Sequence, residues 1–349
     1  MIRFASFLVA QVALTGLTFA QVGHQVDLGP PAAEAVQGLY EGTFTDAQGQ
    51  HKIEARVVAT GKDKYKVLIR ESQPDGKVAK AELAATGEKD LTLSVRGKFK
   101  NVEWASRSSV ESDIKGTIAP NGAFELKRIT RQSPTLGAQP PAGAIVLLDG
   151  KNFDELTCQP NKDGTPQKWN LTENGAIQVP KGGLNSKRQF STSLKIHVEF
   201  YLPLMPAGEG QGRANSGCYL PNGDEIQVLD SFGMTTYTGG GCGGLYRYKD
   251  PDTFDEFSLA SLPPLQWQTY DIEYRVQLQD GKPTGKPRVT VLHNGIKIHD
   301  NAELNNNAKV GGLHYQDHGN PAQYRNIWVL PVPDGKVLNM GAVHTPAAK

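Results

Sequence analysis

The chain has 349 residues, with 37 Lys and Arg against 36 Asp and Glu and no long run of either sign. That balance excludes a strong electrostatic footprint for nucleic acid or anionic lipid and fits a neutral or weakly charged ligand. Hydrophobic residues make up 38% of the chain, enough to fill two ordinary cores, and the length suggests two domains.

Residues 1–20 carry Arg3, an apolar run from Phe4 to Phe19, and Thr18-Phe19-Ala20 with small residues where a signal peptidase needs them. The pattern predicts a secretory signal peptide, hence an exported protein, periplasmic or secreted, with no membrane segment after cleavage. Gln11, Thr15 and Gly16 interrupt the run, which is short for a membrane anchor of about 20 residues. A leader, 21–36, follows.

Between 37 and 132 the chain runs in short extended segments: Gly38–Thr45, His51–Ala59, Tyr65–Glu71, Asp90–Val95, Ile114–Ile118 and Phe124–Ile129. Asp75-Gly76 and Asn121-Gly122 are hairpin dipeptides, and no helical period is visible. This half reads as a small antiparallel β-barrel or sandwich, with few groups suited to catalysis and a role in binding or structure. Residues 133–143, Pro-rich and uncharged, read as an extended linker and domain boundary.

From 144 to 333 the segments are longer: Ile145–Leu148, Leu194–Phe200, Cys218–Leu220, Glu225–Leu229, Tyr270–Val276, Val289–His293, Ile296–Asp300 and Tyr324–Leu330. Many strands joined by hairpin turns predict an all-β, two-sheet sandwich. Strict alternation in Leu194–Phe200 puts Lys195, His197 and Glu199 on one face, which either lines a site or meets solvent. Residues 334–349 read as a weakly ordered tail. Cys158, Cys218 and Cys242 allow at most one disulfide and fit better as small buried hydrophobes.

Glu225 and Gln227 share one strand face and Ile226 and Val228 the other, which makes a polar platform or a solvated outer face. Arg213, Asn215 and Ser216 enter the same predicted hairpin through the Asn222-Gly223 turn, a grouping of donors and acceptors that suits sugar hydroxyls. Gln316, His318 and Asn320 crowd a second turn, and His318 is the best proton-transfer group there. Arg325 alternates with Ile327 and Val329 and is either a ligand donor or a salt-bridge partner. Around Asn294-Gly295 a two-residue turn would pair His293 with Ile296 and Thr290 with His299, so the two histidines fall on opposite faces and make no metal pair. No metal ligands and no cofactor are predicted, although the sequence leaves a divalent metal open. Gly239–Gly244 lacks the Lys-Ser or Lys-Thr of a phosphate loop.

Eight blocks give the second half a further meaning. They are Leu148–Phe153, Leu194–Phe200, Arg213–Tyr219, Glu225–Gly233, Cys242–Tyr246, Pro264–Ile272, Val289–Gly295, and Gln316–Pro321 with Arg325–Trp328. Together they resemble the 3-keto-disaccharide hydrolase family, also described as a 3-keto-glucoside 1,2-lyase and 3-keto-2-hydroxy-glucal hydratase domain, over about residues 144–333. Cys218 stands where an aliphatic residue is usual. The resemblance implies a concanavalin-like jelly-roll sandwich whose concave sheet binds an oligosaccharide or glycoside, lined by Asn215, Ser216, Glu225, Gln227, His318 and Asn320. It also implies cleavage of 3-keto glycosides by elimination and hydration. On that reading Glu225 and His318 are catalytic, while Arg213, Asn215, Ser216, Gln227, Asn320, Arg325, His197 and Glu199 contact substrate. Two other readings stay open: a lectin-like module without chemistry, and a two-carboxylate glycoside hydrolase using Glu225 with Asp230 or Glu199.

Overall fold

The computed structural model describes residues 31–332, except 74, 88–91, 101, 110–112, 119–121, 254–256 and 258. The predicted signal peptide, most of the leader, Asn121 of the Asn121-Gly122 turn and the tail therefore lie outside the described residues. Among the described residues no helix is long and apolar enough to cross a membrane.

A short helix, α1 (Pro31–Val36), precedes eight strands: β1 (Gly38–Asp46), β2 (Gly49–Gly61), β3 (Lys64–Ser72), β4 (Val78–Gly87), β5 (Thr92–Phe99), β6 (Val102–Ser109), β7 (Asp113–Ile118) and β8 (Gly122–Ile129). They form one antiparallel sheet in the order β6-β5-β4-β3-β2-β1-β8-β7. The edge strands β6 and β7 lie side by side, so the sheet nearly closes into a barrel and hides its edges. Alternate residues such as Phe44, Val57, Ile69, Leu83, Val95 and Leu126 fill the interior. Val36 and Ala33 of α1 join them, and the Tyr40 hydroxyl donates to the Val36 carbonyl at 2.7 Å, so the end of the leader belongs to the barrel. The sequence reading anticipates the barrel but not β4 and β6. β4 is rich in Ala, a poor strand former, and is held by pairing with β3 and by burial of Leu83 and Ala85.

The second half contributes β9 (Ile145–Leu148), β10 (Leu156–Cys158), β11 (Ile177–Gln178), β12 (Leu184–Ser186), β13 (Ser193–Tyr201), β14 (Ser216–Tyr219), β15 (Glu225–Val228), β16 (Trp267–Gln279), β17 (Lys282–His293), β18 (Ile296–Glu303), β19 (His314–Tyr315) and β20 (Gln323–Val332). One sheet runs β10-β12-β19-β14-β15, the other β11-β20-β13-β16-β17-β18 with β9 added on β20. A single apolar layer lies between them. Leu194, Ile196, Val198 and Phe200 enter it from β13, Tyr270, Ile272 and Tyr274 from β16, and Cys218, Ile226, Val228 and Tyr315 from the smaller sheet. Fold class is as expected: all-β, a sandwich after a barrel-like sheet. All three cysteines are free, and Cys218 and Cys242 are buried. Between β17 and β18, His293 pairs with Ile296 as expected, but bulges shift His299 to Val291. Both imidazoles are buried, on Gln268 Oε1 at 2.9 Å and the Gly243 carbonyl at 2.7 Å.

Residues 133–143 are not an unpacked linker. Their first half is a strap docked on the outer face of the larger sheet. Ser133 Oγ and Thr135 Oγ1 meet Thr269 Oγ1 at 2.6 and 3.1 Å, and Thr135 Oγ1 donates to Asp271 Oδ2 at 2.6 Å. Gly137 N–H donates to Glu199 Oε1, while the Ala138 carbonyl accepts from Asn326 Nδ2 and Trp328 Nε1. Beneath the strap runs a chain of alternating charge: Asp271, His197 at 2.6 Å, Glu199 at 3.5 Å, then Arg325 at 2.7 Å. Burial alone would push His197 down, but hydrogen bonds and charge from Asp271 and Glu199 outweigh it and raise it to about 9. Burial alone would raise Glu199, yet its partners His197, Asn326, Arg325 and Gly137 hold it at about 2. A raised His197 contributes stability fully present below its unfolded value and lost as pH climbs through about 9. A depressed Glu199 contributes stability present above its unfolded value and lost as pH falls through about 2. His197→Ala, which leaves two buried carboxylates without their shared cation, is expected to destabilise the protein by about 3–5 kcal/mol in urea unfolding at pH 7.

Candidate functional site

The outer face of the smaller sheet carries a row of polar residues that strand register alone dictates. Glu225 lies opposite Tyr219, Tyr219 opposite His314, and His314 opposite Asn185. On the far side of β15 the segment Gly243–Tyr246 runs alongside it. Ile226 bridges Leu245 in the core, and Tyr246 N–H donates to the Glu225 carbonyl at 3.0 Å, which sets Tyr246 beside Glu225. The row therefore reads Tyr246, Glu225, Tyr219, His314, Asn185 across four elements of the smaller sheet and one added segment.

Glu225 is 5% exposed. Its carboxyl leans over Gly217, where a Cβ would fall 1.9 Å from Oε1, so only glycine leaves the space it occupies. Burial pushes its acid up to about 7, against the pull of a hydrogen bond from the Tyr219 hydroxyl. Burial, and after it the Glu225 carboxyl, raises the Tyr219 phenol far above its usual value. Gln316 Nε2 donates to the Tyr219 oxygen at 3.2 Å, and the His314 ring stands edge-on to Tyr219 at 5.2 Å between centroids. His314 Nδ1 is 3.0 Å from Asn185 Oδ1, and burial lowers its basicity, which keeps the imidazole neutral at pH 7. At the outer end the exposed Tyr237 donates its hydroxyl to Tyr246 at 2.9 Å, with the Arg247 guanidinium over the Tyr246 ring at 5.8 Å.

Several expected substrate contacts have other duties. Arg213 is buried: Nε meets Asp230 Oδ2 at 2.8 Å, Nη1 the Met205 and Pro206 carbonyls at 3.1 Å, and Nη2 the Ala59 carbonyl of the barrel at 3.1 Å. Ser216 points into the core, bonded to the Tyr324 hydroxyl at 2.8 Å and the Gln316 carbonyl at 2.7 Å. Asn215 and Gln227 are both buried and converge on Gln211: Asn215 Nδ2 at 3.1 Å and Gln227 Nε2 at 2.7 Å from Oε1. Gln227, opposite Gly217, lies beside the row on the same strand face. Asn320 Oδ1 accepts from Asn215 N–H at 2.6 Å and ties the turn to β14. His318 is exposed on the same turn, whose shape comes from Asp317 accepting from the Gly319 and Gly182 N–H groups. His197, Glu199 and Arg325 lie on the other sheet, under or beside the strap, and do not join the row. Among the described residues no three His, Cys, Asp or Glu side chains group as a metal site.

Tyr219, Tyr246 and His314 escape the sequence reading. A two-residue turn at Asn222-Gly223 would pair Leu220 with Glu225. The actual loop is wider, with Leu220 N–H bonded to the Asp224 carbonyl, and brings Tyr219 opposite instead. The alternation of Tyr219 with the core residue Cys218 was the available signal.

A sandwich with a desolvated carboxyl among tyrosines, amides and a neutral imidazole on one sheet face has the makings of a carbohydrate-active enzyme site. The model of the 3-keto-alpha-glucoside-1,2-lyase-like domain family matches residues 143–330, and the chain belongs to that family. Among solved structures, a candidate glycosyl hydrolase from Parabacteroides distasonis is 30% identical, with 55% of this chain and 85% of that one covered and a TM-score of 0.46. A de novo designed fluorescence-activating β-barrel is 12% identical over 28% of this chain and 97% of its own, with a TM-score of 0.24. No curated protein matches the chain.

Folded Glu225 titrates above its unfolded value, so its contribution to stability is present in acid and lost as pH rises through about 7. Glu225→Gln, which keeps the shape without the charge, is expected to hold its melting temperature between pH 5 and 8 better than the parent protein; equal declines would contradict a desolvated carboxyl.

Proposed function

We propose that the protein cleaves 3-keto glycosides by elimination, followed by hydration, at the row around Glu225. The observation that supports this reading most is the Glu225 carboxyl itself: buried, held over Gly217, and titrating at about 7. A base of that strength suits the hydrogen on C2, which the neighbouring 3-oxo group acidifies. Glu225 takes the C2 proton and the electron pair moves onto the 3-oxo oxygen. Once Glu225 carries that proton, the Tyr219 hydroxyl is released from the carboxylate and can donate to the enolate. Collapse forms the C1=C2 bond and breaks the bond from C1 to the leaving oxygen, which takes a proton from His318. Water then returns its oxygen to C1 and its proton to C2. The acid role is given to His318, the exposed imidazole on the turn beside Asn320.

A two-carboxylate glycosidase has less support, because the row holds one carboxylate. Asp230 is bound to Arg213, and Glu199 lies on the opposite sheet. Export through the predicted signal peptide would bring the enzyme to extracellular or periplasmic glycosides.

The purified protein should release 3-ketoglucose or the 2-hydroxyglucal from 3-ketotrehalose and 3-ketosucrose, followed by mass spectrometry, and leave the unoxidised parents intact. Cleavage of the parents would overturn the mechanism, and binding without product would favour the lectin reading. In the same assay kcat/KM should rise with pH through about 7, and Glu225→Gln should abolish turnover. Gly217→Ala, which displaces the carboxyl by its Cβ, should cost about 100-fold in kcat with the fold intact by circular dichroism.

A further inference from the structure

The strap leaves room on the opposite side of the sandwich. Between Gly137–Pro140, the turns at Gly150 and Gly175, and β20 lies a half-open cavity of about 530 Å³, within the size range of small-molecule sites. Its wall is built closely. Gly150 and Gly175 meet backbone to backbone, and a Cβ on Gly175 would fall 2.8 Å from the Gly150 Cα. Two consecutive residues of β20, Arg325 and Asn326, face this side, which a regular strand does not allow. Asn326 has φ 43°, in the left-handed region, where the pairing of β20 with β13 slips between His197 and Glu199. The bulge turns both side chains onto Glu199.

The hydrogen-bonding capacity of the wall is lopsided. Both carboxylates in it are already supplied with donors: Glu199 by Gly137 N–H, Asn326 Nδ2 and Arg325 Nε, and Asp149 by the N–H groups of Lys151 and Asn152. The cations are not matched in the same way. Arg325 commits Nε to Glu199 and lies 4.0 Å over the Trp267 ring, which leaves its two terminal NH₂ groups without an acceptor among the described residues. The exposed Lys151 ammonium is likewise without one. The amides complete the wall. Asn174 Oδ1 accepts from Thr172 Oγ1, so its NH₂ is open, and Gln139 Nε2 donates to the Gly137 carbonyl at 3.1 Å, so its oxygen is open.

We propose that this cavity is a second binding site, distinct from the row around Glu225, for a sugar acid of monosaccharide size. Its carboxylate sits between the Arg325 guanidinium and the Lys151 ammonium, where a planar fork and a point charge give charge-assisted bonds. Its hydroxyls meet the Asn174 and Gln139 amides. Because Gln139 follows directly on the strap and bonds back to its Gly137 carbonyl, while Arg325 belongs to β20, the ligand bridges the two and tightens the strap on the sheet.

Isothermal titration of the full chain with glucuronate, with glucose as the neutral control, tests the site. Glucuronate should bind at one equivalent and glucose far more weakly. Lys151→Ala, on an exposed turn where folding is not at risk, should weaken glucuronate about tenfold. Raising the salt from about 0.05 to about 0.5 M should weaken it further. Glu225→Gln should leave it unchanged. Absence of glucuronate binding, equal binding of glucose, or indifference to Lys151→Ala would overturn the proposal. So would loss of binding in Glu225→Gln, which would transfer the ligand to the other sheet.

Discussion

Both sheets of the sandwich bury one face against the same apolar layer, and a strand has only two faces to offer. That constraint sorts the polar residues of the second half. With Ile226 and Val228 committed to the layer, Glu225 and Gln227 must face away from it, and with Cys218 and Tyr315 inside, Tyr219 and His314 must join them. On the larger sheet, burial of Ile196, Val198 and Ile272 sends His197, Glu199 and Asp271 outward in the opposite direction. The polar groups thus collect in two places on opposite sides of one core, and each place develops its own chemistry.

The two buried glutamates show how far neighbours decide what burial does. Both are withdrawn from water, and for both desolvation favours the neutral acid. Glu199 has an imidazolium, a guanidinium, an amide and a backbone N–H around it and titrates at about 2. Glu225 has one phenol and titrates at about 7. The first is held as an anion by its partners, and the second is a carboxyl that burial brings to exchange its proton near neutrality.

Much of this was legible in the residues. Alternation gave the all-β class, the barrel before the sandwich, the hairpin of β14 and β15, and the shared face of Glu225 and Gln227. What alternation does not encode is which sheet a face belongs to, so His197 and Glu199 look like equal partners of Glu225 in the sequence and lie across the core from it. Nor does it reveal an ion pair to a distant residue: Arg213 reads as a sugar donor until Asp230 and four carbonyl groups take up its guanidinium. The strap was missed for a different reason. Pro and Gly in Ser133–Gly143 signal extended backbone, and extended backbone with free N–H and C=O groups is as ready to dock on a polar sheet face as to cross solvent. His299 slipped by one place because bulges leave no mark in a short alternating segment.

Arg213 has one more consequence. Its fork ties the Asp230 carboxylate and the loop beyond it to the Ala59 carbonyl of β2, while Phe232, two residues on, packs with Leu39 and Val58 and lies under the Arg56 guanidinium at 4.9 Å. The ionic group that shapes the sandwich loop therefore has its last acceptor in the barrel sheet. Loss of the barrel would strand a buried guanidinium and bare an aromatic ring, so the stability of the sandwich loop is coupled to that of the barrel. Destabilising the barrel therefore also destabilises the loop that follows β15.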